Sequence, residues 1–185
     1  MIRKSGLVRR MKVSYLVIVF MLVSSPVVCS MKLQTKHTNW QVQINCSAGG
    51  GNTYCIMGEK WNASDGVDMF DVPHPPFEPP GRAFIYFSHP AFPVLYQNIW
   101  MEYQHHSSNA LDDSVVWNLT TYYIPMDGQG GLVQLQWSSS SFLSTGYHDV
   151  YLCFDGAWVD MKTISSFSFF SPAYARCHLL VVMSK

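Results

Sequence analysis

Charge is scarce in this chain: Asp, Glu, Lys and Arg make up only 13% of its 185 residues and cancel to a formal net charge of +0. So low a charge density, beside 48% hydrophobic residues, excludes a disordered polyelectrolyte. No basic face or stripe is available to grip a phosphate backbone, so nucleic acid is not an expected partner. Long Ala/Glu/Lys/Leu runs are missing, which excludes a helical bundle. Neither G-x-S-x-G nor H-E-x-x-H occurs, and no Gly-rich phosphate loop leads into a helix. The chain is therefore read as non-catalytic, and without C-x-x-C it offers no paired ligands for structural zinc.

What is there begins with an asymmetry. Arg3, Lys4, Arg9, Arg10 and Lys12 precede an apolar run, Val13–Met21, which is followed by Ser24, Ser25 and Pro26 and the small residues Cys29 and Ser30. Basic, apolar and small-residue regions in that order form a signal peptide over residues 1–30, with cleavage after Cys29 or Ser30. The run is short for a spanning helix and is interrupted by Pro26, so no membrane span is expected once the leader is cleaved. All twelve acids lie past residue 30, where only seven cations remain, so the mature body is acidic. The expected location is secreted or extracellular, with retention at the cell surface as a variant.

Removing Cys29 leaves Cys46, Cys55, Cys153 and Cys177, an even number in an exported chain, which reads as two disulfides. Of the three pairings, Cys46–Cys55 is favoured because it closes the glycine-rich stretch SAGGGNTY, and Cys153–Cys177 because it joins two late strands.

Past the leader, two-residue alternation recurs between Gly, Pro, Asn and Ser clusters, the pattern of half-buried strands. Strands are expected at 39–45, 82–88, 99–105, 114–123, 132–138, 149–154, 158–163, 166–170 and 176–183. Val133, Leu135 and Trp137 share one face against Gln134 and Gln136, and Trp117, Leu119 and Thr121 share another. Asp155-Gly156 marks a hairpin. The alternating SSFSFFSP stretch (165–172) suits a sheet edge. Together these give an all-β, antiparallel β-sandwich of immunoglobulin-like or jelly-roll type. Five prolines in Asp71–Gly81 cannot enter a central strand, so this stretch is an extended arm strapped across the sandwich. The organisation is residues 31–81 (N-terminal strand, Cys loop and strap) and 82–185 (sandwich), forming one domain.

Several side chains invite ligands. Asp65, Asp68 and Asp71 offer carboxylates to Ca²⁺, the one cofactor considered; the competing reading is a turn whose Asp side chains cap backbone N–H groups. The histidines are scattered, and His105 and His106, as neighbours in a strand, face opposite sides. Trp and Tyr are abundant, and Trp61, Trp100 and Tyr103 are taken as binding aromatics. Asn62 and Asn118 begin N-x-S/T triplets open to N-glycosylation, and Asn45 does so beside a cysteine.

The stretch Asn62–Pro76, NASDGVDMFDVPHPP, resembles the NASDGxDxxDxPxPP segment of an immunoglobulin-like β-sandwich module of secreted and cell-surface proteins of bacteria and archaea. Phe84–Pro90 and Val159–Thr163 are similar to the same module, and together these matches span residues 59–183. The resemblance implies a sandwich on an exported surface protein with a structural or adhesive role through protein–protein contacts. The alternative is a carbohydrate-binding module that uses exposed aromatics, assisted by calcium. The partner is accordingly a surface protein or a glycan.

Overall fold

The computed structural model describes residues 39–75, 79–104 and 114–184. The leader, His105, His106 and residues 76–78 of the proline arm lie outside the described residues. Among the described residues, eleven strands form one sheet. They are β1 (Trp40–Ala48), β2 (Gly51–Glu59), β3 (Val72–Pro73), β4 (Arg82–Ser88), β5 (Asn98–Gln104), β6 (Ser114–Ile124), β7 (Gly131–Trp137), β8 (Asp149–Phe154), β9 (Ala157–Asp160), β10 (Ser166–Ser171) and β11 (Arg176–Ser184). Two short 3-10 turns, Val94–Tyr96 and Ser139–Phe142, are the only helical elements among the described residues.

The all-β expectation holds, and each of the nine expected strands is found with small shifts at its ends. The path runs β10-β7-β1-β2-β5-β4-β6-β11-β8-β9, with β3 added against β5. Neighbours are antiparallel except β2 and β5, which run parallel from Ile56↔Met101 to Glu59↔Gln104. The sheet curls until its two ends approach: Phe154 of β8 packs on Phe167 and Phe169 of β10, with ring centroids 6.1 and 4.5 Å apart. A nearly closed, barrel-like wrap of this kind has one interior, and most of the longer strands feed alternate residues into it.

Alternation decides which residues those are. Val42, Ile44 and Cys46 of β1, Trp117, Leu119 and Thr121 of β6, Val133, Leu135 and Trp137 of β7, and Leu179, Val181 and Met183 of β11 are all buried. Trp40 meets Trp117 edge-on at 5.8 Å. The indole N–H of Trp137 donates to the carbonyls of Met161 (3.0 Å) and Ile164 (2.7 Å), which satisfies a buried polar group.

β2 departs from expectation, since SAGGGNTY is a hairpin rather than a loop tied by cysteines. Gly49 and Gly50 take φ of 60° and 86°, turning the chain so that Ala48 pairs with Gly51. The register then sets Cys46 opposite Thr53 and Cys55 opposite Ile44. The two cysteines are therefore diagonal neighbours, a spacing of about 7–8 Å between Cα atoms, beyond the reach of an unstrained disulfide. The second pairing fails for a different reason. Cys177 lies in line with the core residues Leu179 and Val181, whereas Cys153 alternates with the buried Val150 and Leu152 and lies on the outer face. All four are free thiols. Burial pushes the Cys46 thiol up to about 12 and the Cys55 thiol well above its ordinary range. In the native protein an alkylating reagent should modify the half-buried Cys153 and Cys177 and spare Cys46 and Cys55 until unfolding; peptide mass mapping reads this, and a linked 46–55 peptide would contradict it.

The proline arm lies along β5. Val72 pairs with Met101 and Pro73 with Ile99, a register shift that makes a bulge around Trp100. His74 N–H donates to Asn98 O at 2.8 Å, and its ring packs against Phe84 (6.0 Å) and Tyr86 (5.5 Å). This explains why β4 is buried on both faces.

Candidate binding site

Where β2, β4 and β5 come together beneath the arm, the outer surface is concave. β2 contributes Asn52, Thr53 and Tyr54, β4 contributes Phe84, the β5 bulge contributes Trp100, and the arm contributes His74 and Pro75, enclosing a pocket of about 210 Å³. Tyr54 and Trp100 lie 4.9 Å apart with their rings tilted by 50°. The Trp100 indole N–H donates to the Tyr54 carbonyl, and Thr53 Oγ1 donates to Ala83 O at 2.8 Å. Both bonds pin the walls to the sheet. Burial lowers the His74 imidazole below its ordinary range, which favours the neutral ring. No carboxylate, lysine or arginine lines the pocket among the described residues.

A buried polar cluster sits close along the same two segments, three residues before His74 and two after Trp100. Asp71 and Glu102 are 7% and 4% exposed. His89 Nε2 lies 3.0 Å from Glu102 Oε2, with its ring stacked on Phe92, and Gln104 donates to the other Glu102 oxygen at 2.8 Å. Asp71 Oδ2 accepts from Asp68 N–H (3.0 Å), while Asp71 Oδ1 has no hydrogen-bond partner among the described residues. Burial, with the nearby Asp68 and Glu102 carboxylates, pushes the Asp71 carboxyl up to about 6.

The other expected site residues fall apart in space. The Asp65, Asp68 and Asp71 stretch is a braced turn: Asp68 accepts from the backbone N–H groups of Ser64 (2.6 Å) and Phe70 (2.8 Å), and among the described residues no three His, Cys, Asp or Glu side chains are grouped to hold a metal ion. Of the three expected binding aromatics, only Trp100 lines the pocket. Trp61 is 65% exposed on the loop after β2. Tyr103 is buried rather than displayed: its hydroxyl donates to Gln41 Oε1 at 2.8 Å, and Lys60 Nζ lies 3.7 Å from its ring centroid. Asn62 and Asn118 are both exposed. Tyr54, His74 and Phe84 were not singled out as pocket residues from the sequence, where they look like ordinary strand and arm residues.

A second surface stands out by its chemistry. On β1 the outward positions Gln41, Gln43, Asn45 and Ser47 are polar, whereas β7 adds Gln134 and Gln136 but also Leu132, 65% exposed opposite Phe170 of β10. On β6, β11, β8 and β9 the outward positions form two cross-strand rows, Val116–Val182–Tyr151–Asp160 and Asn118–Leu180–Cys153–Trp158. Trp158 is 60% exposed and meets Tyr151 edge-on at 6.0 Å. Comparison with protein-family models, with curated proteins and with solved structures found no match.

Proposed function

We propose that this chain is an exported, non-catalytic binding module with a structural or adhesive role, and that it makes protein–protein contact through the outer face of β6, β11, β8 and β9. The observation that carries this is the contrast between the two outer faces. A solvated sheet face alternates to polar residues, as β1 does, whereas this face presents Val116, Tyr151, Trp158 and Leu180 within two adjoining cross-strand rows. Contiguous apolar surface of this kind marks interaction sites, and Trp, here Trp158 on the terminal strand β9, is among the residue types that most often dominate binding energy. Asp155 in the β8–β9 hairpin and Asp160 opposite Tyr151 border it. The complementary partner is therefore a protein with an apolar patch edged by cations, at the surface of the cell that exports the chain.

The double variant Trp158→Ala/Leu180→Gln tests the reading, since neither side chain enters the core. Truncating a hot-spot interface Trp typically costs about 2 kcal/mol or more, so retention of the protein on washed producing cells should fall more than tenfold with its circular dichroism unchanged. Equal retention of wild type and variant sinks the proposal. Concentration-dependent dimers in sedimentation, abolished by the same variant, would replace the foreign partner with a second copy.

A further inference from the structure

We infer that the pocket between β2, β4, β5 and the proline arm is a binding site for one neutral sugar ring. Three observations converge on it. Its walls are aromatic: Tyr54, Trp100 and Phe84 belong to three different strands, and His74 adds a fourth ring from the arm. Its lining carries no ionic side chain among the described residues, and the imidazole of His74 is held towards its neutral form. Among its lining residues, the exposed Asn52 and the half-buried Tyr54 bring an amide and a phenolic hydroxyl, groups that both donate and accept.

A pocket with apolar walls and a few converging polar groups is the usual design of a small-molecule site. At about 210 Å³ this one is smaller than the roughly 300–1,000 Å³ of drug-sized sites and suits a single ring. A pyranose meets each requirement. One face is a patch of C–H bonds that lies against the electron-rich face of an aromatic ring, and its rim of hydroxyls both donates and accepts, matching an amide and a phenol. A uronic acid or an amino sugar would bring a charge that no lining side chain among the described residues answers, and desolvating that charge is costly.

The site is independent of the apolar face on β6, β11, β8 and β9, and its test is separate. The intact ¹⁵N-labelled protein is titrated with methyl hexosides and neutral disaccharides, with glucuronic acid and glucosamine as charged controls and with decaproline as a control for a proline-recognising groove. Neutral sugars should shift the Trp100 indole N–H resonance, identified by its loss in Trp100→Phe, and show saturation transfer to their ring protons. Asn52→Ala/Tyr54→Phe, which leaves the walls in place, should weaken that binding at least tenfold. The assignment is overturned if no neutral sugar moves the Trp100 resonance at millimolar concentration. It is equally overturned if the charged sugars or decaproline bind as well or better, or if the double variant binds like wild type.

Discussion

Replacing Trp117 by Ala should remove about 3–5 kcal/mol of stability, a large share of the roughly 5–15 kcal/mol that a domain possesses. Trp117 is fully buried in β6, edge-on to Trp40 and opposite Val181 of β11. Its neighbours belong to strands from both halves of the sheet path, so they cannot all close on the vacated space. Trp117→Phe should behave differently. The indole N–H of Trp117 has no hydrogen-bond partner among the described residues, and an unsatisfied buried donor itself costs about 1–3 kcal/mol. Phe removes that donor and keeps most of the ring, so its net cost should stay under about 2 kcal/mol. Urea unfolding followed by circular dichroism, with an unchanged denaturant slope, gives both values. A loss below about 1.5 kcal/mol for Trp117→Ala would mean that β6 and β1 are not packed across a common interior.

How Trp117 came to be central was legible in the sequence. The alternation Trp117, Leu119, Thr121 and the alternation Val133, Leu135, Trp137 both point inward as read, because a period of two leaves only one way to hide the larger side chains. The Asp155-Gly156 turn was legible for a similar reason: φ of 47° and 78° at its two central residues is what that dipeptide tolerates. The turn reading of the Asp65–Asp71 stretch also matches the hydrogen bonds that Asp68 accepts.

Other features depend on pairing, which local pattern does not encode. β2 was hidden because Gly49-Gly50-Gly51 reads as a loop, and the flanking cysteines suggested a staple. Cysteine parity says nothing of register, and register is what leaves Cys46 opposite Thr53. Nor does a strand announce whether its neighbour runs parallel, as β5 does beside β2. The pocket was beyond reach for a related reason. Its walls come from β2, β4, β5 and the arm, and an aromatic that lines a cavity has the same letter as one that fills a core. Tyr103 shows the converse, being counted among the exposed binding aromatics yet 2% exposed beneath Lys60.

The acid cluster beside the pocket makes the arm sensitive to pH. Asp71 directly precedes β3, so its side chain is part of what docks Val72–Pro73 on β5. Its carboxyl is pushed from an ordinary 3.8 up to about 6 by burial and by the neighbouring Asp68 and Glu102 carboxylates. The folded state therefore holds this proton more tightly than the unfolded chain does. Stability from the protonated acid is fully present below about pH 4 and is lost as pH rises through about 6. The groups around it do not reverse that sign: Glu102 of β5 and Asp68 of the same turn are like charges, His89 lies against Glu102, and Lys60 lies over Phe70 and Tyr103.

Asp71→Asn should therefore match wild type near pH 4 and exceed it above pH 7. A shift of this size is worth at most about 3 kcal/mol. Asn keeps an acceptor for Asp68 N–H, so the turn survives. The difference between the two urea midpoints across pH 4 to 8 isolates Asp71 from every other titrating group, and a flat difference would sink the idea. The local readout is exchange of the His74 N–H, bonded to Asn98 O at 2.8 Å. It should speed up above pH 6 in wild type beyond the intrinsic rise in exchange rate, and Asp71→Asn should suppress that excess. Because His74 and Pro75 form one wall of the pocket, the same proton that seats the arm also completes the site, and sugar affinity should weaken over the same interval in wild type alone.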